Sequence, residues 1–403
     1  MSAPAEPVPQ VAPTTRLTSI DAYRGFVMLL MMAEVLRLCA VAKALPNSTF
    51  WSFLCWHQSH VEWVGCSLHD LIQPSFTFLV GVALPFSLAS RAARGQSVQA
   101  QLLHAAWRAI LLIVLGVFLR SVGQSQTYWT FEDTLSQIGL GYFFLFLLGR
   151  TSARIQWAAF AILAIGYWMV FALFPLPGND FDFSRVGVSA EWLQAHGLSG
   201  FSAHWTKNAN VAWAFDTWFL NLFPREKPFV ANGGGYATLS FIPTLATMVF
   251  GLLAGGVLRS DRPPSTKLRW LFVVGVITLA LGWLSSALGL CPVVKRIWTP
   301  SWVLFSGGWC CLLLAAFYAL TDLRDWRRWP FPLLVIGANS IAAYVIAHLF
   351  ESFILSALKT NLGADSFKVL GAAYEPLLLG AATLLVLWLM LLWMWRRKIF
   401  LRI

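Results

Sequence analysis

Charged side chains are scarce in this sequence. Lys, Arg, Asp and Glu make up only 12% of the 403 residues, about half the share that is typical of a soluble domain, and 58% are hydrophobic. Apolar stretches of about 20 residues recur along almost the whole chain, and each is long enough to cross the hydrocarbon layer of a bilayer. The composition therefore argues against a separate soluble domain. It predicts an all-α, polytopic transmembrane helix bundle with one domain over 20–403.

Signals for several other classes of protein are missing as well. The sequence has no P-loop, no GxGxxG after a strand, no HExxH and no GxSxG, so the common soluble-enzyme chemistries have no support. The N-terminal residues lack the basic start and apolar core of a signal peptide, and their composition predicts a disordered cytoplasmic tail over 1–19. The net charge is +11, but the basic residues lie mainly between apolar runs. They act there as topology signals, so we expect a bilayer and no nucleic acid as partner.

The six cysteines have no metal-like spacing, and we expect no metal. Cys39, Cys310 and Cys311 fall in or near apolar runs. Cys55, Cys66 and Cys291 lie near one face of the predicted bundle. They either form a disulfide there or remain unpaired as small apolar residues.

Ten apolar stretches are predicted to be membrane spans. Their approximate limits are 24–45, 69–90, 102–120, 134–149, 155–175, 236–258, 270–290, 301–321, 331–351 and 374–395. With the N-terminus in the cytoplasm, the cytoplasmic segments hold 18 of the 29 lysines and arginines, as the positive-inside rule requires. We therefore predict that both termini are cytoplasmic and that the loops at 46–68 and 176–235 face outward. Tryptophans in the long loop suit either a sugar or an interfacial aromatic belt.

The stretch at 59–81 is the richest in groups that could carry chemistry. His57, His60 and His69 compete there. A histidine can exchange a proton near neutral pH or attack a thioester, and a carboxylate such as Asp70 can orient it. Asp70 is equally suited to cap a helix. The spacing of these residues does not choose among the three histidines.

Two further sets of polar residues lie within predicted spans. Ser340, Tyr344, His348 and Glu351 fall on one helical face, which either lines a cavity or bonds to neighbouring helices. The first span carries Asp21, Arg24, Glu34 and Arg37. Asp21 and Arg24 either pair with each other or, through Arg24, meet the phosphates of a nucleotide-bearing substrate. Glu34 lies deeper in the span, and its role is either pairing with Arg37, lining a pore or catalysis.

Several of these residues belong to longer patterns. The pattern H-x-x-W-x-G-x-x-x-x-D-L-x-x-P-x-F-x-F-x-x-G begins at His60, includes Asp70 and ends at Gly81. The opening RLTSIDAYRG and the stretches at 239–255 and 292–309 and around ANSIAAYV complete the set. In these patterns the chain resembles the heparan-α-glucosaminide N-acetyltransferase family and its bacterial relatives.

The resemblance implies transfer of acetyl from cytoplasmic acetyl-CoA, a co-substrate, to a glucosamine-type amine on the opposite side of the membrane. The active histidine would be His60, as general base or acetyl carrier, and Asp70 would orient its ring. Together with the polar stripe and the start of the first span, the resemblance gives a predicted donor-binding set. This set comprises Asp21, Arg24, Lys295, Trp298, Asn339, Ser340, Tyr344 and His348.

The chain also departs from the family pattern. Gln137 stands where the family often has a basic residue, and Glu34 stands where the lysosomal enzyme has an asparagine. The lysosomal enzyme's lumenal extension is absent, which favours a bacterial inner membrane and a cell-envelope amino sugar or free glucosamine as acceptor. The resemblance is compatible with a homodimer. A secondary transporter of a sugar or small anion, and a catalytically inactive relative, are the alternative functions.

Overall fold

Helices account for 72% of the computed structural model, which describes residues 17–326, 328–363 and 365–401. In chain order the α-helices are α1 Thr18–Met32, α2 Leu38–Ala44, α3 Thr49–Gln58, α4 Ile72–Ala93, α5 Val98–Ser121, α6 Thr134–Leu148, α7 Ala153–Ala172, α8 Ala190–His196, α9 Val211–Phe219, α10 Phe241–Arg259, α11 Pro264–Ala287, α12 Pro300–Phe317, α13 Phe331–Ala338, α14 Ser340–Leu362 and α15 Glu375–Arg396. Strands are absent from these described ranges. The predicted polytopic helical bundle is confirmed.

Nine helical segments of the described chain are long and apolar enough to cross a membrane. They are formed by α1 with α2, and by α4, α5, α7, α10, α11, α12, α14 and α15. The predicted span over 134–149 is not among these nine, because it corresponds to α6, which has only 15 residues. Residues 1–16 of the predicted tail lie outside the described residues. The side of the membrane on which each terminus lies stays a prediction.

Helix α10 lies at the centre of the bundle. Every residue from 243 to 255 is buried, and the helix packs lengthwise against α4. Gly81 permits this close approach, because a Cβ at that position would lie 1.9 Å from the carbonyl oxygen of Met248. Small residues at such contacts let transmembrane helices pack backbone against backbone.

The first span is broken near its end. After α1 the chain forms a 3₁₀ turn over Ala33–Leu36, and Arg37 then takes a left-handed conformation with φ of 49°. Beyond the break α2 packs against α3, and a disulfide joins Cys39 to Cys55. Cys66 and Cys291 are free thiols, so the unpaired alternative holds for these two residues, whereas Cys55 pairs with Cys39, which lies outside the group of three. The sequence shows one apolar run here, which hides the fact that Cys39 lies on a separate helix.

A second break occurs at Asn339, where the predicted span 331–351 instead divides into α13 and α14. Asn339 has φ of −129° and ψ of 40°, so it leaves the helical region. Its side chain donates to the carbonyl oxygen of Ile399 at 2.8 Å and accepts from the backbone N–H of Leu401 at 3.1 Å. Asn339 therefore holds the C-terminal segment against this break.

The long loop at 176–235 folds into short helices above the bundle. Trp205 is fully buried in a cluster with Tyr167 and Phe171 of α7. The indole N–H of Trp63 donates to the carbonyl oxygen of Trp205 at 3.1 Å. The two loops predicted to face outward therefore meet at one end of the molecule, and Trp205 serves in packing there.

Candidate active site

A cavity of about 190 Å³ opens at the end of the bundle where these loops meet. Its apolar floor includes Met28 and Met31 of α1 and Phe76 of α4. Most of the other lining side chains are ionisable: Glu34, His60, His69, Arg120, Glu132, Asp133, Tyr236, Lys295, Tyr344 and His348. So many polar groups in one concave site of a membrane protein mark it as the candidate functional site.

Two loops that are distant in sequence form one wall of the cavity. Val64 and Val294 make an antiparallel bridge, and the backbone N–H of Gly65 donates to the carbonyl oxygen of Val293 at 3.0 Å. Gly65 has φ of 128°, a conformation that residues with a side chain rarely adopt. This pairing brings Lys295 to the loop that carries His60.

His60, Asp70 and Lys295 form a compact cluster. His60 Nδ1 lies 2.8 Å from Asp70 Oδ1, and Lys295 Nζ lies 3.1 Å from that nitrogen and 3.3 Å from the same carboxylate oxygen. The Asp70 side chain is 1% exposed and that of Lys295 is 5% exposed, whereas His60 is 37% exposed and reaches the cavity. The imidazole of His60 therefore faces the cavity, and the buried ion pair of Asp70 and Lys295 lies behind it.

The second oxygen of Asp70 fixes the carboxylate in place. Oδ2 accepts from the backbone N–H of Val61 at 3.2 Å, from the backbone N–H of Ser67 at 3.0 Å and from the Ser67 hydroxyl at 3.1 Å. An ionised carboxylate can only accept hydrogen bonds. We therefore assign the proton in their 2.8 Å contact to Nδ1 of His60, with Lys295 donating to the same carboxylate oxygen of Asp70. The lone pair of the neutral ring then lies on Nε2, on the edge away from Asp70.

The surroundings of His60 favour its neutral form. Burial lowers the pKa of His60 and the positive charge of Lys295 lowers it further, against the opposing effect of the Asp70 carboxylate. Burial likewise lowers the pKa of Lys295, while Asp70 acts in the opposite direction. A histidine that is neutral near pH 7, with a free Nε2, has the properties of a general base.

A second carboxylate–imidazole pair stands beside the first. His69 Nε2 lies 3.1 Å from Glu34 Oε1, and the ring centroids of His60 and His69 are 4.6 Å apart. Across the cavity, Arg120 and Glu132 form a longer ion pair of 3.9 Å. The cavity therefore holds two adjacent imidazoles, each in contact with a carboxylate.

The other predicted donor-binding residues lie in three places. Tyr344 and His348 line the cavity, but Ser340 of the same helical face does not, and Asn339 binds the C-terminal segment. Trp298 is buried behind the site, where its indole N–H donates to the hydroxyl of a buried threonine at 3.0 Å.

The start of the first span lies apart from the cavity. Asp21 and Arg24 form an ion pair of 3.2 Å on α1. Neither residue lines the cavity, and the first residue of α1 that does so, Met28, lies four residues beyond Arg24, about 6 Å along a helix. Of the competing histidines, His57 accepts from the backbone N–H of Leu68 at 3.3 Å and does not line the cavity.

Sequence reasoning missed several residues of the cavity. Arg120, Glu132 and Tyr236 received no role from the sequence, although all three line the cavity. The acidic pair at 132–133 directly before an apolar helix was a readable signal. Arg120 and Tyr236 gave none, because each is a single polar residue at the end of a long span or loop.

Comparison with known proteins finds related sequences. The chain is 24% identical over 384 residues to the human protein named heparan-α-glucosaminide N-acetyltransferase, and 23% identical over 391 residues to the mouse protein of that name. The matches cover 84% and 88% of this chain. The chain is therefore similar in sequence to the heparan-α-glucosaminide N-acetyltransferases. The resemblance predicted from the sequence patterns is confirmed.

The match to these N-acetyltransferases is partial in length. It covers 53% of the human protein and 56% of the mouse protein, so the chain spans about half the length of the curated relatives it matches. No family model matches the chain.

Proposed function

We propose that this protein is a membrane-embedded acetyltransferase, which transfers the acetyl group of acetyl-CoA to the amine of an amino sugar. Its relatives carry the name of an N-acetyltransferase that acts on a glucosaminide. The observation that carries the proposal is the His60–Asp70–Lys295 cluster at the cavity, because it supplies the base that amide formation from a thioester requires.

His60 acts as the general base in this proposal. Asp70 holds the Nδ1 proton, so Nε2 takes a proton from the attacking amine and returns it to the departing thiolate of CoA. Such proton transfer contributes about 10²–10⁴-fold to a rate. Alternatively, His60 carries the acetyl group itself before the amine attacks.

Lys295 keeps His60 ready for this role. Its positive charge lowers the pKa of His60 and balances the buried charge of Asp70. Without Lys295, Asp70 would favour a protonated imidazolium that cannot act as a base.

The two substrates approach from opposite sides. Acetyl-CoA is too polar to cross a bilayer, so we place its nucleotide end at Arg24 and its pantetheine arm along α1 toward the cavity. The flexible side chains of Met28 and Met31 lie on this route as part of the cavity floor. The amino sugar, a cell-envelope sugar or free glucosamine, enters from the face that carries the loops. A bacterial inner membrane, with both termini in the cytoplasm, suits this arrangement.

Release of CoA from acetyl-CoA by the detergent-purified protein tests the proposal. We expect release that depends on added glucosamine and that disappears in His60→Ala. His57→Ala is the matched control, since it removes a histidine of the same loop that does not line the cavity, and it should retain activity.

The outcomes separate the alternative functions. Full release by His60→Ala would remove His60 from the mechanism. Binding of acetyl-CoA without release in the presence of glucosamine would point to an inactive relative or to a different acceptor. Counterflow of labelled sugar without acetylation would replace the acetyltransferase with a transporter.

A further inference from the structure

The pair formed by Glu34 and His69 has no part in the mechanism proposed for His60. The Glu34 carboxylate is 54% exposed and lines the cavity, whereas the His69 ring behind it is 8% exposed. Their 3.1 Å contact places a solvent-accessible negative charge against a buried imidazole that is 4.6 Å, centroid to centroid, from the ring of His60. The pair therefore faces the same reacting space as His60.

The break in the first span places Glu34 there. Glu34 lies in the 3₁₀ turn Ala33–Leu36, between the buried side chains of Met32 and Val35. Irregular backbone at this depth is tolerated where it lines a cavity. With its two apolar neighbours held in the core, the turn presents Glu34 to the cavity.

Amide formation from an amino sugar must dispose of two protons. An amino sugar in neutral water is largely an ammonium ion, which has no lone pair and cannot attack a thioester. One N–H bond must break before attack, and a second breaks as the nitrogen–carbon bond forms and the carbon–sulfur bond of acetyl-CoA breaks. The second proton goes to the CoA sulfur through His60, so the first goes to a different acceptor, which is either water before the amine binds or a group in the cavity.

We propose that Glu34 and His69 form the site that binds the acceptor ammonium and removes its first proton. This inference rests on the acetyltransferase function proposed above. The Glu34 carboxylate binds the ammonium group by a charge-assisted hydrogen bond. The proton passes to an oxygen of the exposed Glu34 carboxylate, which the N–H at His69 Nε2 holds in place, and then leaves to solvent. Each turnover thus yields one acetylated amine, one CoA thiol and one released proton.

Other titratable groups surround the pair and contribute to its pH dependence. Those that face Glu34 and His69 are His60, Asp70, Lys295, Tyr344, His348 and Glu351. The test must therefore distinguish the charge of the acceptor from the general charge of the cavity.

Two amines of different basicity make that distinction. Glucosamine is largely protonated at neutral pH, whereas methoxyamine is largely a free amine. In Glu34→Gln we expect kcat/KM for glucosamine to fall about 10- to 100-fold at pH 7, the range for losing one charged hydrogen bond. The loss should shrink toward pH 9, and kcat/KM for methoxyamine should stay within about twofold of the wild-type value. His69→Gln should show the same selectivity.

Glu62→Gln is the matched control, because Glu62 is a 57% exposed carboxylate of the neighbouring loop that does not line the cavity. It should leave both amines unaffected. Equal losses for both amines in Glu34→Gln, with an unchanged melting temperature, would overturn the ammonium role while leaving the acetyltransferase intact. Absence of CoA release by the wild-type protein with either amine would instead remove the proposed function, and this site with it.

Discussion

Replacing Asp70 by Asn tests whether this carboxylate sets the tautomer of His60. The carboxylate offers two acceptor oxygens, whereas the amide offers one acceptor and one donor. Backbone N–H groups of Val61 and Ser67 both point at Oδ2, so the amide oxygen will take that place. The amide NH₂ then faces His60 Nδ1 at the 2.8 Å position. Nδ1 must then accept a hydrogen bond from the amide, so the ring proton moves to Nε2. The lone pair at Nε2, which acts as the base in the proposed mechanism, is lost.

The size of the effect follows from what is lost. A ring with its proton on Nε2 cannot act as a general base there, so we expect kcat for acetyl transfer to fall by about 10²–10⁴-fold. Lys295, 5% exposed, also loses its counter-ion. An uncompensated buried charge costs about 3–5 kcal/mol, an upper bound here because a lysine can release its proton. We therefore expect a lower melting temperature together with the slower reaction.

The assay is steady-state CoA release with glucosamine, alongside thermal unfolding in the same detergent. Asp216→Asn provides the matched control, since it makes the same chemical change at a buried carboxyl in the outer loop. It should leave kcat unchanged. If Asp70→Asn keeps kcat within tenfold of the wild-type value, Asp70 does not set the His60 tautomer.

Three further outcomes are expected. The pKa of His60 lies below the ordinary histidine value of about 6.5, and activity should fall as the pH drops through this lowered pKa. Lys295→Met should move the loss of activity to higher pH, because it removes a positive charge that lowers the pKa of His60. Both effects are measured by pH profiles of kcat/KM. Gly81→Val should lower the melting temperature markedly, since its Cβ would meet backbone of the facing helix, whereas Gly256→Ala, with open space around it, should not. Burial raises the pKa of Asp216 to about 7, so the folded state loses stability as the pH rises from about 4 toward 7. Asp216→Asn should therefore raise the melting temperature more at pH 8 than at pH 5. An equal gain at both pH values would contradict this expectation.

The helical bundle was predictable because composition alone specifies it. Apolar runs of span length leave few other structures open to a chain in a bilayer, since backbone polar groups must be satisfied internally. The breaks were less accessible. Arg37 and Asn339 interrupt runs whose hydropathy is continuous, and only tertiary contacts, such as those of Asn339 with the C-terminal segment, reveal them.

The candidate site was predictable in its local part. His60 and Asp70 lie ten residues apart in one pattern, and the structure brings them to 2.8 Å. Lys295 is 235 residues from His60, so its place depended on resemblance and not on spacing. Glu34 and His69 were both noticed as polar residues, but no sequence rule joins a residue in the first span to one at the start of the second.

The Cys39–Cys55 bond links this architecture to where the protein matures. Disulfides form and persist in oxidising compartments and are rare in the cytosol. The bond clasps α2 to α3, and the loop that carries His60 begins directly after α3. In a chain inserted with α2 and α3 in a reducing compartment, Cys39 and Cys55 would stay as thiols, and the two helices beside the cavity would not be cross-linked. Formation of the site would therefore require that α2 and α3 first reach an oxidising compartment and that Cys39 and Cys55 are then oxidised. Membrane insertion and oxidative folding would be successive steps in assembling one site.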